Sequence, residues 1–321
     1  MNSELILSES VLKSNFEQLG PQSTIQRIFE QSCAQRGMNF PKIDNPRKIY
    51  WDADHYGLSG LKQFCVLSID EKQKLLEALN EFNLHEACFV ENLGYRFNAK
   101  MILHSKSLEE RSMFANFAAD EAAHLHSILP FTQGMAPLKI ENQPMIHLLS
   151  QTIEESSAAP TSFLIQVILE GFGLAHYSTL GKNCLDDVLQ KVIQKIVKDE
   201  AFHHAGGKAV FALRGINESE TKELEDLIFQ VTRLFCQWPH PTMRAFVKLG
   251  FDDPRFLRNL IEDLRPQEKS LLRIQYIQKL IDLLPAEKLN QLQNRGAFQI
   301  PDNEEILKSF LKSPINPAIG G

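Results

Sequence analysis

The chain has 321 residues, 43% of them hydrophobic and 23% charged, a globular composition that excludes wholesale disorder and a collagen-like repeat. Its formal net charge is −6, with lysine and arginine scattered among the acids, which argues against a nucleic-acid or anionic-membrane surface. Five cysteines (Cys33, Cys65, Cys88, Cys184, Cys236) without a Cys-x-x-Cys pair suit reduced thiols better than a disulfide frame or a structural zinc site.

The start, Met1-Asn2-Ser3-Glu4, has no basic stretch followed by an apolar core, and no apolar run looks long enough to span a bilayer. The expectation is a cytoplasmic protein with no membrane or nucleic-acid partner. Leu, Glu, Lys, Gln and Ala dominate and alternating β-branched runs are rare, so the chain reads as all-α. In chain order, residues 1–50 are irregular apart from a helix at 23–36. Ser68-Ile-Asp-Glu71 is a capping box opening a long helix to about residue 100, and Ser107-Leu-Glu-Glu110 opens another that Pro130 stops. Residues 130–159, proline-rich with a short apolar piece from Met145 to Leu149, read as a connection. Pro160 begins a helix ending near Gly181, and the next runs from 185 to 205, before Gly206-Gly207. Asn217 and Asp253-Pro254 open two more, helical stretches follow at 271–284 and 303–311, and 313–321 reads as a loose tail. The implied division is an extension over 1–67, a central bundle over 68–215 and C-terminal helices over 216–321, packed as one domain.

The chemistry lies in a doubled pattern. Asp120-Glu121-Ala-Ala-His124 and Asp199-Glu200-Ala-Phe-His203 each sit within an expected helix, where Glu and His three apart share a face. Glu91 stands thirty residues before Glu121, and Glu170 thirty before Glu200. From mid-helix, about 13 residues climb about 20 Å to a helix end, and an equal descent after a short turn returns to the same height. Each half is then an antiparallel pair in which a carboxylate faces a Glu-x-x-His. Four carboxylates crowded in an interior would repel and desolvate badly unless cations cancelled their charge. Mixed oxygen and imidazole donors, too few to fill two coordination spheres, suit iron or manganese. The competing reading, exposed helix charges and core histidines, requires the doubled spacing to be coincidence.

On these residues the chain resembles the ferritin-like di-iron carboxylate superfamily, over about residues 68–207. The resemblance implies a ferritin-like four-helix bundle with one long crossover and flanking helices. It implies that Glu91, Glu121 and His124 hold one metal and that Glu170, Glu200 and His203 hold the other, with bridging from Glu121 and Glu200. Asp120 and Asp199 would support the opposite histidine. The arginine common before the histidine in acyl desaturases and multicomponent monooxygenases is replaced by Ala123 and Phe202. The cofactors implied are two iron ions, or a manganese–iron pair. The implied activity is that of an oxygenase or oxidase acting with dioxygen on a small or acyl-type organic substrate, p-aminobenzoate N-oxygenase-like or acyl-desaturase-like. A separate reductase would supply electrons, and a homodimer is compatible. The alternatives are a ferroxidase, peroxidase or iron-handling protein, and a non-catalytic helical interaction protein.

Tyr95, Phe117, Gly173, Tyr177 and Phe202 are the candidates for a pocket beside the metals. Gly171 and Gly173 sit inside a helix where glycine is costly, which means either close packing or room for a ligand. His126, His176 and His204 are spare histidines near the motifs.

Overall fold

A computed structural model describes residues 23–135, 143–236 and 239–312. The stretch 1–22, the expected tail at 313–321 and part of the connection over 130–159 lie outside the described residues. The described chain is all-α, with no strand among those residues.

Apart from two four-residue turns at Lys62–Cys65 and Leu129–Thr132, the described helices are α1 (Thr24–Gln35), α2 (Ile69–His104), α3 (Leu108–Ile128), α4 (Pro144–Glu155), α5 (Ala158–Lys182), α6 (Asp187–Arg214), α7 (Glu218–Phe235), α8 (His240–Lys248), α9 (Pro254–Leu264), α10 (Pro266–Leu280), α11 (Ala286–Asn294) and α12 (Asn303–Lys312). Their starts follow local chemistry. Ser68 and Glu71 form a reciprocal capping box on α2, as Asn217 and Glu220 do on α7. Ser107 caps α3 through Glu110 N, but the Glu110 carboxylate turns instead to Lys106 N and Arg214, so that box is half made.

Two helical hairpins dominate. α2 folds back along α3 and α5 along α6, and α3 packs against α6 to join them. The connection between the hairpins holds more helix than its prolines suggest. α4 has twelve residues, buries Ile146, Leu149 and Ile153, and lies on α2. Lys100 Nζ donates to the Ile153 and Ser156 carbonyls at 2.7 and 2.6 Å, closing the C-terminus of α4 with a cation where the helix leaves carbonyls unpaired.

Two expectations need correction. Gly206-Gly207 do not end the helix expected over 185–205, since α6 continues to Arg214. The glycines stand where neighbours leave no room: a Cβ at Gly207 would lie 2.2 Å from Gln166 Cβ, and one at Gly206 2.9 Å from the Phe117 ring. Nor is every apolar run too short for a bilayer. α5 has the length and hydropathy for one, but 61% of its most apolar window is buried inside the protein and it carries Glu170. Its apolarity belongs to a helix covered on most sides.

The C-terminal helices share cores with the hairpins. Leu224, Ile228 and Ile277 join Phe163, Val167 and Phe97 in one cluster, while α8, α9 and α12 enclose Leu75 and Leu79 of α2 with Leu58 and Phe64 in another. The N-terminal segment is pinned by Asn80 Oδ1, which accepts from Tyr50 N and Trp51 N at 2.7 and 2.8 Å, and by Trp51 Nε1 donating to Leu180 O at 2.8 Å.

Candidate metal centre

Six side chains from four helices converge midway along the hairpins: Glu91 of α2, Glu121 and His124 of α3, Glu170 of α5, and Glu200 and His203 of α6. All six are buried. They form two overlapping quartets, Glu91–Glu121–His124–Glu200 and Glu121–Glu170–Glu200–His203. Within each, one donor atom per residue lies within 4.8 Å of the others. Glu121 and Glu200 belong to both. His124 Nδ1 stands 3.0 Å from Glu91 Oε2 and 3.5 Å from Glu200 Oε1, and His203 Nδ1 stands 3.4 Å from Glu121 Oε1.

Each imidazole turns Nδ1 inward and Nε2 outward. His124 Nε2 meets Asp199 Oδ2 at 3.0 Å, and His203 Nε2 meets Asp120 Oδ2 at 3.4 Å. The pairing is crossed, each aspartate holding the histidine of the other hairpin. With the Nε2 proton donated to the aspartate, Nδ1 is the nitrogen turned to the carboxylates, and its lone pair would be available to a cation that displaced the Nδ1 proton. Tyr177, one helical stretch beyond Glu170, donates its hydroxyl to Glu91.

Backbone detail makes room for this convergence. A Cβ on Gly94 would lie 2.6 Å from the Glu121 carboxylate, so α2 can pass that close to α3 only with glycine there. Before Glu170, residues Phe163–Leu169 form a π segment. The Gln166 carbonyl accepts from His204 Nδ1 at 2.9 Å, and its Nε2 donates to the His203 carbonyl at 3.4 Å. Wide turns of this kind recur at functional sites because they re-aim the residues that follow.

Electrostatics shows what the cluster lacks. Burial raises the pKa of Glu170 well above the carboxylate range, with repulsion from Glu200 adding to it, and burial likewise raises Glu121 and Glu200. Burial opposes a charged His124, but hydrogen bonds to Asp199, Glu121 and Glu91 outweigh it and lift its pKa well above the ordinary imidazole value. Asp199 is drawn down to about 2: burial pushes upward, and His124 and Lys195 overcome it. Both carboxylate oxygens of Glu170 and the Nδ1 of His203 are buried without a hydrogen-bond partner. Orphaned acceptors of this kind cost about 1–3 kcal/mol each, more when charged. The shared need is for positive charge at the middle of the cluster, and the donor set could hold a metal ion there.

Comparison with family models, curated proteins and solved structures finds no match to this chain. The reading of the centre therefore stands on its own residues.

Beside the centre lies a cavity of about 410 Å³. One wall comes from α2 (Glu86, Ala87, Val90) and α5 (Phe172, Gly173, Tyr177), and the facing wall from α8 and α10. Gly173 and Tyr177 thus line it, and a Cβ at Gly173 would meet nothing within 4 Å. Gly171 is the opposite case: its Cβ would strike Leu280 Cδ2 at 2.6 Å, and its carbonyl accepts from Tyr276.

Three other pocket candidates lie elsewhere. Phe117 packs on His203 with ring centres 4.3 Å apart, inside the core rather than on the cavity wall. Tyr95 is 46% and Phe202 73% exposed. Phe202 lies about 200° around the helix from Glu200 and so faces outward. Of the spare histidines, His126 stacks against Phe29 and Phe40, His204 is held by the Gln166 carbonyl, and His176 lines the cavity. Reasoning from sequence missed Gly94, Gln166 and the polar residues that α8 and α10 bring to the cavity. The first two had no signal beyond a glycine and a glutamine inside apolar helices.

Proposed function

We propose that the chain is a ferritin-like di-metal oxidoreductase that uses dioxygen to oxidise a small organic substrate, with two iron ions, or iron and manganese, in the two quartets. The observation that carries this reading is the Glu170 carboxylate, buried with both oxygens unpartnered beside Glu200 and His203. No hydrogen-bond donor answers it, and a cation would. Glu91, Glu121, His124 and Glu200 would hold one ion, and Glu121, Glu170, Glu200 and His203 the other. When bound, such ions supply the electron transfer to dioxygen that amino-acid side chains do not provide.

The chain's own residues do the rest. Asp199 and Asp120 keep a proton on each histidine Nε2 and so keep Nδ1 available. Tyr177 holds a proton at Glu91 Oε1, restricting which oxygen of that carboxylate is free to ligate. The cavity would seat the substrate against Gly173 and Tyr177, one side chain away from Glu91. Its presence favours an enzyme over an iron store, which needs no such chamber. A separate donor would deliver electrons.

The test is reconstitution with Fe(II) under anaerobic conditions, followed by addition of dioxygen. About two iron ions per chain and oxygen consumption that stops at a stoichiometric amount are expected. Continued oxidation of added Fe(II), with many ions retained per chain, would replace this reading with the iron-handling one. A chain that takes up no iron would remove both.

A further inference from the structure

Two hydrogen-bonding side chains line the cavity beside the centre without a partner among the described residues. Glu86 of α2 and His176 of α5 both face it, and neither side chain makes a hydrogen bond or ion pair with another described residue. The other histidines of the lining are engaged, His55 Nδ1 with Asn183 Nδ2 at 3.2 Å and His240 Nε2 with Ser309 Oγ at 3.0 Å. Arg244, Lys269 and Arg273 reach the lining from α8 and α10, but each has a partner of its own. Trp51 sets Glu86 and His176 at a common height. Its backbone N–H donates to Asn80 and its indole to the Leu180 carbonyl, tying residue 80 of α2 to residue 180 of α5. Glu86 lies six residues from Asn80 toward the centre, and His176 four from Leu180. At about 1.5 Å per residue, the two stand within about 3 Å of one level, so one small group can meet both.

Around these two groups the wall is apolar, made by Leu79, Phe82 and Val90 of α2, Phe172 of α5, and Leu234 and Phe235 of α7. The chamber disfavours charge of either sign. Burial raises the Glu86 carboxyl to about 7 against the pull of Arg244 and Arg273. It lowers His176 and His240 to about 4 and His55 below its ordinary value. It also draws Arg244 and Arg273 down to about 10 and lowers Lys269. Acids move up and bases move down, each toward its neutral form, as they do where water solvates poorly. A ligand with a full charge would meet the same penalty on entering. An uncharged polar group escapes it. The neutral His176 imidazole offers one N–H and one lone pair, and the Glu86 carboxyl accepts or, when protonated, donates. A hydroxyl both donates and accepts, which matches this pair.

We propose that the cavity binds a small uncharged molecule, an apolar body bearing a hydroxyl group, and that Glu86 and His176 hold the hydroxyl between them. The cavity volume, about 410 Å³, lies toward the small end of the usual range for ligand sites, roughly 300–1,000 Å³. A ligand seated there touches Tyr177, whose hydroxyl reaches Glu91. Calling this ligand a substrate rests on the oxygen-activating reading. Its binding does not, and can be measured without metal.

The experiment is calorimetric titration of the full-length protein at pH 7, metal-free and iron-loaded, with octan-1-ol, octanoate, octylammonium and dibutyl ether. Octanol should bind tenfold or more tighter than either ion. It should also bind threefold or more tighter than the ether, which accepts a hydrogen bond but donates none. Glu86→Leu and His176→Phe should each remove most of the preference for octanol over the ether, while binding of the ether persists. Gly173→Leu should weaken both neutral probes with iron content unaltered, since a side chain there adds bulk without removing a donor. The proposal is overturned if octanol does not bind the wild type, or if either ion or the ether binds as tightly as octanol. It is also overturned if both the Glu86 and His176 variants keep the full preference for octanol. Should those variants fail to fold, the wild-type ranking of the four probes decides alone. Failure of the oxidoreductase reading appears separately, in the iron stoichiometry.

Discussion

At Gly94 a hydrogen atom faces the Glu121 carboxylate, and nothing larger fits in the 2.6 Å that a Cβ would be left. Gly94→Ala should therefore displace Glu121 or push α2 from α3. We expect a loss of about 1–3 kcal/mol in chemical denaturation, typical of overpacking, together with reduced metal content. His124→Ala and His203→Ala should each lower bound iron below two per chain by elemental analysis. His126→Ala, whose ring sits on Phe29 and Phe40, should leave it unchanged. Full loading of both ligand variants would remove the assignment. The convergence of the six residues was legible because Glu-x-x-His and the thirty-residue offset are fixed by helix geometry, which sequence spacing records directly. Gly94 and Gln166 were not legible, because close approach between two helices leaves no mark in the spacing of either one.

Among the elements, α5 and α6 pack tightly where the π segment meets Gly207. Gly207→Ala should cost about 1–3 kcal/mol in urea unfolding, because Gln166 Cβ would be 2.2 Å away and backbone must move. Gly173→Ala in the same hairpin meets nothing within 4 Å and should stabilise by up to about 1 kcal/mol through helix propensity. A reversed order would mean that the glycines are not there for packing. A pH effect belongs to α8 and α12, joined by His240, whose Nε2 faces Ser309 Oγ at 3.0 Å. Burial, helped by Arg244, holds this histidine near pKa 4, below its ordinary 6.5. The unfolded chain takes up the proton first, so the stabilising contribution is complete above pH 6.5 and is lost as pH falls toward 4. Relative to His240→Gln, the wild type should lose about 3 kcal/mol across that interval, measured as the difference between two pH series of denaturation curves. Helix starts at Ser68, Asn217 and Asp253 were readable from their caps. The end of α6 was misread because glycine serves both as a terminator and as a point of close contact.

For the whole molecule, the crowded carboxylates at the centre would link folding to any cation held there. With Glu170 unpartnered and Glu121 and Glu200 driven toward protonation, the metal-free protein carries an internal penalty that cations would relieve. At free metal about 100-fold above its Kd, loading should stabilise the native state by about 2.7 kcal/mol, seen as a higher melting temperature by calorimetry. Coincident melting curves would mean that the cluster does not take up the ion. The all-α class was legible from composition and punctuation, whereas the cavity wall supplied by α8 and α10 depends on contacts between distant stretches and was not. The crossed Asp–His pairs and the shared Glu121 and Glu200 carry one more consequence. Neither hairpin owns a complete quartet: the first supplies three of the four members of one and borrows Glu200, and the second borrows Glu121 for the other. A nascent chain emerging from the ribosome thus has neither quartet complete until its second half has docked, so an ion held there would act as a seal on assembly rather than a seed for it.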